Sequence, residues 1–137
     1  MRYPVKIMPD GDAFCVSSRD LPELNSVGYS LDEAMQEALD GIETNFMIYM
    51  LDRKPIPLPS KKQKDETEIR LPVRTAAKVA LYNEMLKQNV SKAELARRLG
   101  WSQIQVDRLW SLTHSTKLES IEAAFDAIHK ELDLVVV

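Results

Sequence analysis

From Arg2 to Met8, apolar and polar positions alternate, with Tyr3, Val5 and Ile7 on one side and Pro4 and Lys6 on the other. A period of two marks a half-buried strand. Pro4 has no amide donor, so this strand is expected to lie at a sheet edge or to begin there. The turn residues Pro9, Asp10, Gly11 and Asp12 then predict a hairpin, with Phe14 and Val16 of the return strand facing inward. A short extended stretch follows at residues 25–27. The period next becomes helical, with Leu31, Ala34, Met35, Ala38, Leu39, Ile42, Phe46 and Tyr49 on one face. Ser30 and Glu33 supply a capping-box pattern at its start. A helix from there to Met50 spans about 30 Å, enough to cover a small sheet.

Pro55, Pro57 and Pro59 exclude a helix and favour a stiff, extended segment. Residues 61–68 are densely charged and read as a mobile loop, so 53–66 is taken as a linker within the first domain. Alternation returns at 67–73, with Ile69, Leu71 and Val73 on one side of a last strand. The first domain, residues 1–73, is therefore predicted as β-β-β-α-β, and 74–137 as a second, helical domain.

Residues 75–88 read as a helix whose apolar side includes Ala76, Val79, Ala80, Tyr82 and Leu86. The next twenty residues, SKAELARRLGWSQIQVDRLW, carry most of the functional information. Ser91 and Glu94 match a capping box, Leu95, Ala96 and Leu99 face inward, and Gly100 supplies the permissive backbone of a tight turn. Ser102 caps a second helix carrying Ile104, Val106 and Leu109. Small Ala96, then Gly100, then Val106 and Leu109 satisfy the packing demands of a helix-turn-helix, whose second helix enters the major groove. Gln103, Asp107, Arg108 and Ser111 then form its outer face. Gln can read adenine and Arg guanine bidentately. Lys92 is placed for a phosphate, and the amides near Ser102 are candidates for another. Ser115 or Thr116 is expected to cap a further helix with Leu118, Ile121, Ala124, Phe125 and Ile128 inward. His129 reads as a last-turn residue and His114 as a loop residue. The ending LDLVVV reads as a short strand, pairing inside the fold or with a second subunit.

Charge sharpens this division. Residues 1–60 hold five basic and ten acidic residues, whereas 74–117 hold eight basic and three acidic. Phosphate backbones favour the second surface and a basic protein the first. Asp10, Asp12, Asp20 and Glu23 are the candidate contacts for such a protein. One Cys and two His rule out a disulfide framework and a Cys/His zinc site. No signal-like segment or membrane-length apolar run is present, so a cytoplasmic protein without metal or cofactor is expected. Catalysis is not expected either. The first strand carries no carboxylate, the first half has no His, and Cys15 reads as an ordinary buried or half-buried thiol.

The opening YPVKI, the loop DLPEL, Gly28 and the segment GYSLDEA resemble the HicB antitoxins. IPLPS, the helix-turn-helix and the ending KELDLVVV resemble the HicB branch with a phage-repressor-type DNA-binding domain. Arg19 departs from the Pro that many relatives carry before Asp-Leu-Pro, and the first hairpin is short. The resemblance implies a partial ribonuclease-H-like first domain without nuclease activity. That domain would cover HicA, a small basic toxin that cleaves messenger RNA with a catalytic His. The second domain would bind operator DNA as a homodimer or higher homo-oligomer and repress the operon. A different class remains open, a stand-alone helix-turn-helix regulator whose first domain senses a ligand. A metal-dependent nuclease using Asp20 or Glu23 is the third and weakest reading.

Overall fold

The computed structural model describes all residues, Met1–Val137. The chain is α+β and divides into two compact units, Met1–Pro72 and Val73–Val137.

The first unit contains β1 (Arg2–Asp10), β2 (Ala13–Ser17), β3 (Ser26–Gly28), α1 (Leu31–Leu51) and β4 (Thr67–Arg70). Its antiparallel sheet runs β3-β2-β1-β4, so β1 is central and not the edge strand that Pro4 predicts. The two halves of β1 pair on opposite sides. Residues 2–5 face β4, through Tyr3 opposite Ile69, and residues 6–10 face β2, through Ile7 opposite Val16. At Pro4 the strand therefore has one neighbour, and the missing amide donor meets an unpaired side.

Helix α1 lies against β2, β3 and β4. It buries Ala34, Ala38, Ile42 and Phe46 over Tyr3, Val5, Val16 and Ile69. Burying each large side chain contributes about 1.5–3 kcal/mol. Leu31, expected on that face, is exposed, and Tyr49 is half-buried. Ser30 Oγ accepts from Glu33 N at 3.1 Å, which realises one half of the anticipated box. Gly28 is obligatory here for lack of space. A Cβ on it would sit 2.3 Å from Ala34 N and 2.6 Å from Ala34 Cα, both backbone atoms.

The proline segment and the charged loop are fastened to the unit, whereas a mobile loop is expected at 61–68. Ile56 is buried, and Tyr3 OH donates to the Pro57 carbonyl at 2.5 Å. Burial, followed by the charges of Asp20 and Tyr49, raises the Tyr3 phenol well above its usual range. Ser60 donates to Asp20 through both its amide and its hydroxyl. Glu66 is buried, and its oxygens meet Arg19 Nε at 2.8 Å and Nη2 at 2.7 Å. The Arg19 hydrogen bond, with help from the Gln63 amide, holds the Glu66 carboxyl down to about 2. A bidentate guanidinium–carboxylate pair fixes geometry as well as charge. Strand β4 stops at Arg70. Leu71 is buried beyond it, and exposed Val73 begins a helix instead of extending the strand.

The second unit contains α2 (Val73–Gln88), α3 (Lys92–Leu99), α4 (Gln103–Leu109) and α5 (Leu118–Ala127). Helix α3 packs on α4 and α5, and α2 packs on α5. The core is Val79, Leu81, Tyr82, Met85, Leu95, Val106, Leu109, Ile121 and Ala124. Trp110 joins it edge-on to Tyr82, with ring centroids 4.8 Å apart. The buried side of α2 is rotated from the expected one, so Ala76, Ala80 and Leu86 are only half-buried. Leu118, expected inward, is exposed. Lys117 occupies the N-cap of α5 without a side-chain bond, because Thr116 is buried and donates to the Arg108 carbonyl. His129 lies past the end of α5 at φ 62°, in the left-handed position that closes a helix. Residues 132–137 form no strand, since no strand of this unit offers them a ladder, and 134–137 remain exposed.

Candidate functional site

Helix α3 begins at Ser91, whose Oγ accepts from Glu94 N at 3.1 Å. The Glu94 carboxylate turns outward to Arg97 and Arg98 instead of closing the expected box. Gly100 ends the helix at φ 67°, with nothing within 4 Å of a hypothetical Cβ. Backbone conformation, not crowding, therefore demands glycine at this turn. Ser102 starts α4 with a complete capping box: Ser102 N donates to Gln105 Oε1 at 2.9 Å, and Gln105 N donates to Ser102 Oγ at 3.3 Å. The spacing S-x-x-Q is the sequence signal for this box. These two amides are engaged within the chain.

Of the four residues expected as packing determinants, Val106 and Leu109 are fully buried, Ala96 is half-buried and Gly100 makes the turn. Ile104 departs from expectation. It is 64% exposed on α4.

The polar candidates divide into tethered and free groups. Asp107 accepts from Lys92 Nζ and from Gln103 Nε2, each at 3.1 Å. Those two bonds, Lys92 first, hold its carboxyl below the usual aspartate range. Lys92 also stands over the Trp110 ring, 4.7 Å from its centroid. Asp107 therefore orders Lys92 and Gln103 more than it presents a free carboxylate. Arg108 is exposed, and its guanidinium forms no ion pair within the chain. Ser111 is half-buried beyond the end of α4, off the outer helix face on which it was expected. Beside Arg108 lies a cleft of about 350 Å³ bordered by Trp101, Gln105, His114 and Lys117. Burial, then the charge of Arg108, pushes the His114 imidazole below its ordinary value.

The residue that positions this surface is Lys78 on α2, which the sequence reading counted only as a base. It is fully buried. Its ammonium donates to the carbonyls of Arg108 at 3.0 Å, Ser111 at 2.6 Å and His114 at 2.7 Å. Burial, followed by the charge of Arg74, pushes this ammonium down to about 8. At neutral pH it thus keeps three N–H donors for three acceptors. It fastens the last turn of α4 and the loop after it to α2. A lysine in register with Leu81, Tyr82 and Met85 was the available signal, because helical spacing puts it on the buried side.

In the first unit, the expected acidic contacts are dispersed. Asp10 and Asp12 flank the β1–β2 turn and are exposed. Asp20 is half-buried and holds Ser60. Glu23 accepts from Tyr49 OH at 3.2 Å. Asp32, Glu33, Glu37 and Asp40 are exposed along α1. Cys15 is half-buried. No group of three or more His, Cys, Asp or Glu is placed to hold a metal ion, and no helix is long and apolar enough to cross a membrane.

Residues 2–80 match the family described as HicB-like antitoxin of bacterial toxin–antitoxin systems. The chain is 42% identical to Antitoxin HicB 2 of Photorhabdus laumondii, over all of this chain and 97% of that protein. It is 39% identical to Antitoxin HicB of Escherichia coli over the full length of both. Antitoxin HicB of Pseudomonas fluorescens is also 39% identical, over 98% of this chain and 92% of its own. Full-length similarity at this level, together with the family match across the first unit, means that the chain belongs to the HicB-like antitoxins of bacterial toxin–antitoxin systems and is not an enzyme.

Proposed function

We propose that this antitoxin works in the cytoplasm by covering a HicA-type RNA-cleaving toxin with its first unit and repressing its own operon with its second. The first unit is read as a partial ribonuclease-H-like domain that has lost nuclease chemistry and retains a binding surface. Its acid excess favours encounter with a basic toxin, and a stable interface excludes RNA from the toxin's active site. The second unit is read as a phage-repressor-type helix-turn-helix, with α3 across the DNA backbone and α4 in the major groove.

One observation carries the DNA reading: α4 is capped, turned at Gly100 and latched by Lys78, while Arg108 stands exposed without an ion pair. A guanidinium so placed can meet guanine O6 and N7. Lys92 and Gln103 reach phosphate or base by exchanging their bonds to Asp107. The exposed apolar residues 134–137 have high β-propensity, and pairing them with a second copy would make the homodimer that presents two α4 helices to two half-sites. The test is a gel shift of the full chain on its upstream DNA, together with co-purification of the adjacent small basic protein. A specific shift and a stable complex are expected. The reading fails if neither forms at low salt.

A further inference from the structure

We propose that a notch on the first unit, between Glu23 and the C-terminal half of α1, is a socket for a Lys- or Arg-bearing segment of the toxin. This rests on the toxin-covering reading above and assigns it a place. The notch has a volume of about 100 Å³ and is lined by Glu23, Asn45, Ile48, Tyr49, Asp52 and Lys54. Asn45 is only 9% exposed, and its Nδ2 is buried without any hydrogen-bond partner. Native folds rarely leave a buried donor unpaired, and each exception calls for an explanation. Here Asn45 lines an opening, so a group seated in it can supply the missing acceptor.

The remaining walls define that group. Glu23 is steadied by the Tyr49 hydroxyl, and Asp52 caps the C-terminus of α1, where the helix dipole is negative. Two carboxylates face one ammonium, that of Lys54. Ile48 and the Tyr49 ring provide apolar sides that suit an aliphatic stem. A simple anion would satisfy Asn45 and be repelled by the carboxylates, whereas a bare cation would leave Asn45 unpaired. A basic side chain flanked by a main-chain carbonyl answers both demands at once. The volume is also well below the roughly 300–1,000 Å³ of small-molecule sites, and it suits a single inserted side chain.

The experiment measures the affinity of the full chain for the HicA-type toxin of its own operon, made inactive at its catalytic His, by titration calorimetry. Asn45→Leu should lower affinity about tenfold while the thermal midpoint holds or rises, because the substitution removes a buried unpaired donor. The pair Glu23→Gln and Asp52→Asn, both exposed, should also lower affinity about tenfold. Glu37→Gln, elsewhere on α1, should bind like the parent. Parental affinity in both Asn45→Leu and the double variant would overturn the socket. An altered oligomeric state with unchanged toxin affinity would assign the notch to a second copy and likewise overturn it. If the parent itself does not bind the toxin, the underlying functional reading fails, and the variants are not the cause.

Discussion

The two units solve the same problem with opposite means. The first is held by pairings between distant residues, such as Tyr3 with Ile69, Tyr3 with Pro57 and Arg19 with Glu66. The second packs α3, α4 and α5 beside α2, and those three have 8, 7 and 10 residues and are too short to persist alone. Local devices stop and start them, serine caps and left-handed residues at Asn89, Gly100 and His129, while the buried Lys78 of α2 ties down the end of α4 from a distance. The polar groups are spent differently as a result. In the first unit they fasten a long segment and leave the acids of α1 in solvent. In the second, one buried cation organises the backbone beneath an exposed arginine.

Four substitutions or conditions can break this contrast. The largest effect is expected from Gly28→Ala, since the new methyl meets the backbone of Ala34. It should cost about 4 kcal/mol, read as a loss in chemical-denaturation midpoint. An unchanged midpoint would mean that β3 and α1 separate freely. Lys78→Met comes next. It removes the shared ammonium donor from three carbonyls and should cost about 3 kcal/mol, with faster amide exchange at residues 108–116. Normal exchange there would remove the latch.

Arg108→Ala should leave stability alone and weaken binding to operator DNA by about 1–3 kcal/mol, measured by fluorescence anisotropy. Equal affinity and specificity would take Arg108 out of base readout. The smallest effect sharpens the first unit. Because Arg19 holds the Glu66 carboxyl at about 2, below its ordinary 4.5, the stabilisation is complete above pH 4.5 and fades as pH falls toward 2. Glu66→Gln should flatten that part of the pH–stability curve. An identical slope in the variant would rule out Glu66 as its source.

Much of the architecture was legible because it is written in local periods. Alternation in β1 and the stripe through Ile42 and Phe46 gave the first unit its element order, and Ser91, Gly100 and Ser102 marked the ends of α3 and α4. What escaped was set by distant partners. Pro4 looked like an edge residue because the sequence does not show that β1 changes neighbours midway. The charged loop looked mobile because the partner of Glu66 is Arg19, far back in the chain. Residues 132–137 have strand composition without a strand to pair with. The site residues divide in the same way. Arg108 was visible from helical spacing, whereas Lys78 acts through carbonyls thirty or more positions away. Asn45 is betrayed only by an unmet hydrogen bond.

Division of labour between the units is best tested by hydrogen–deuterium exchange on the full chain, alone, with toxin, and with toxin and operator duplex together. Toxin should slow exchange within residues 1–72 only, and adding the duplex should slow it further within 91–117 only. Protection by toxin across 91–117, or by DNA across 1–72, would contradict the assignment of separate partners to separate units.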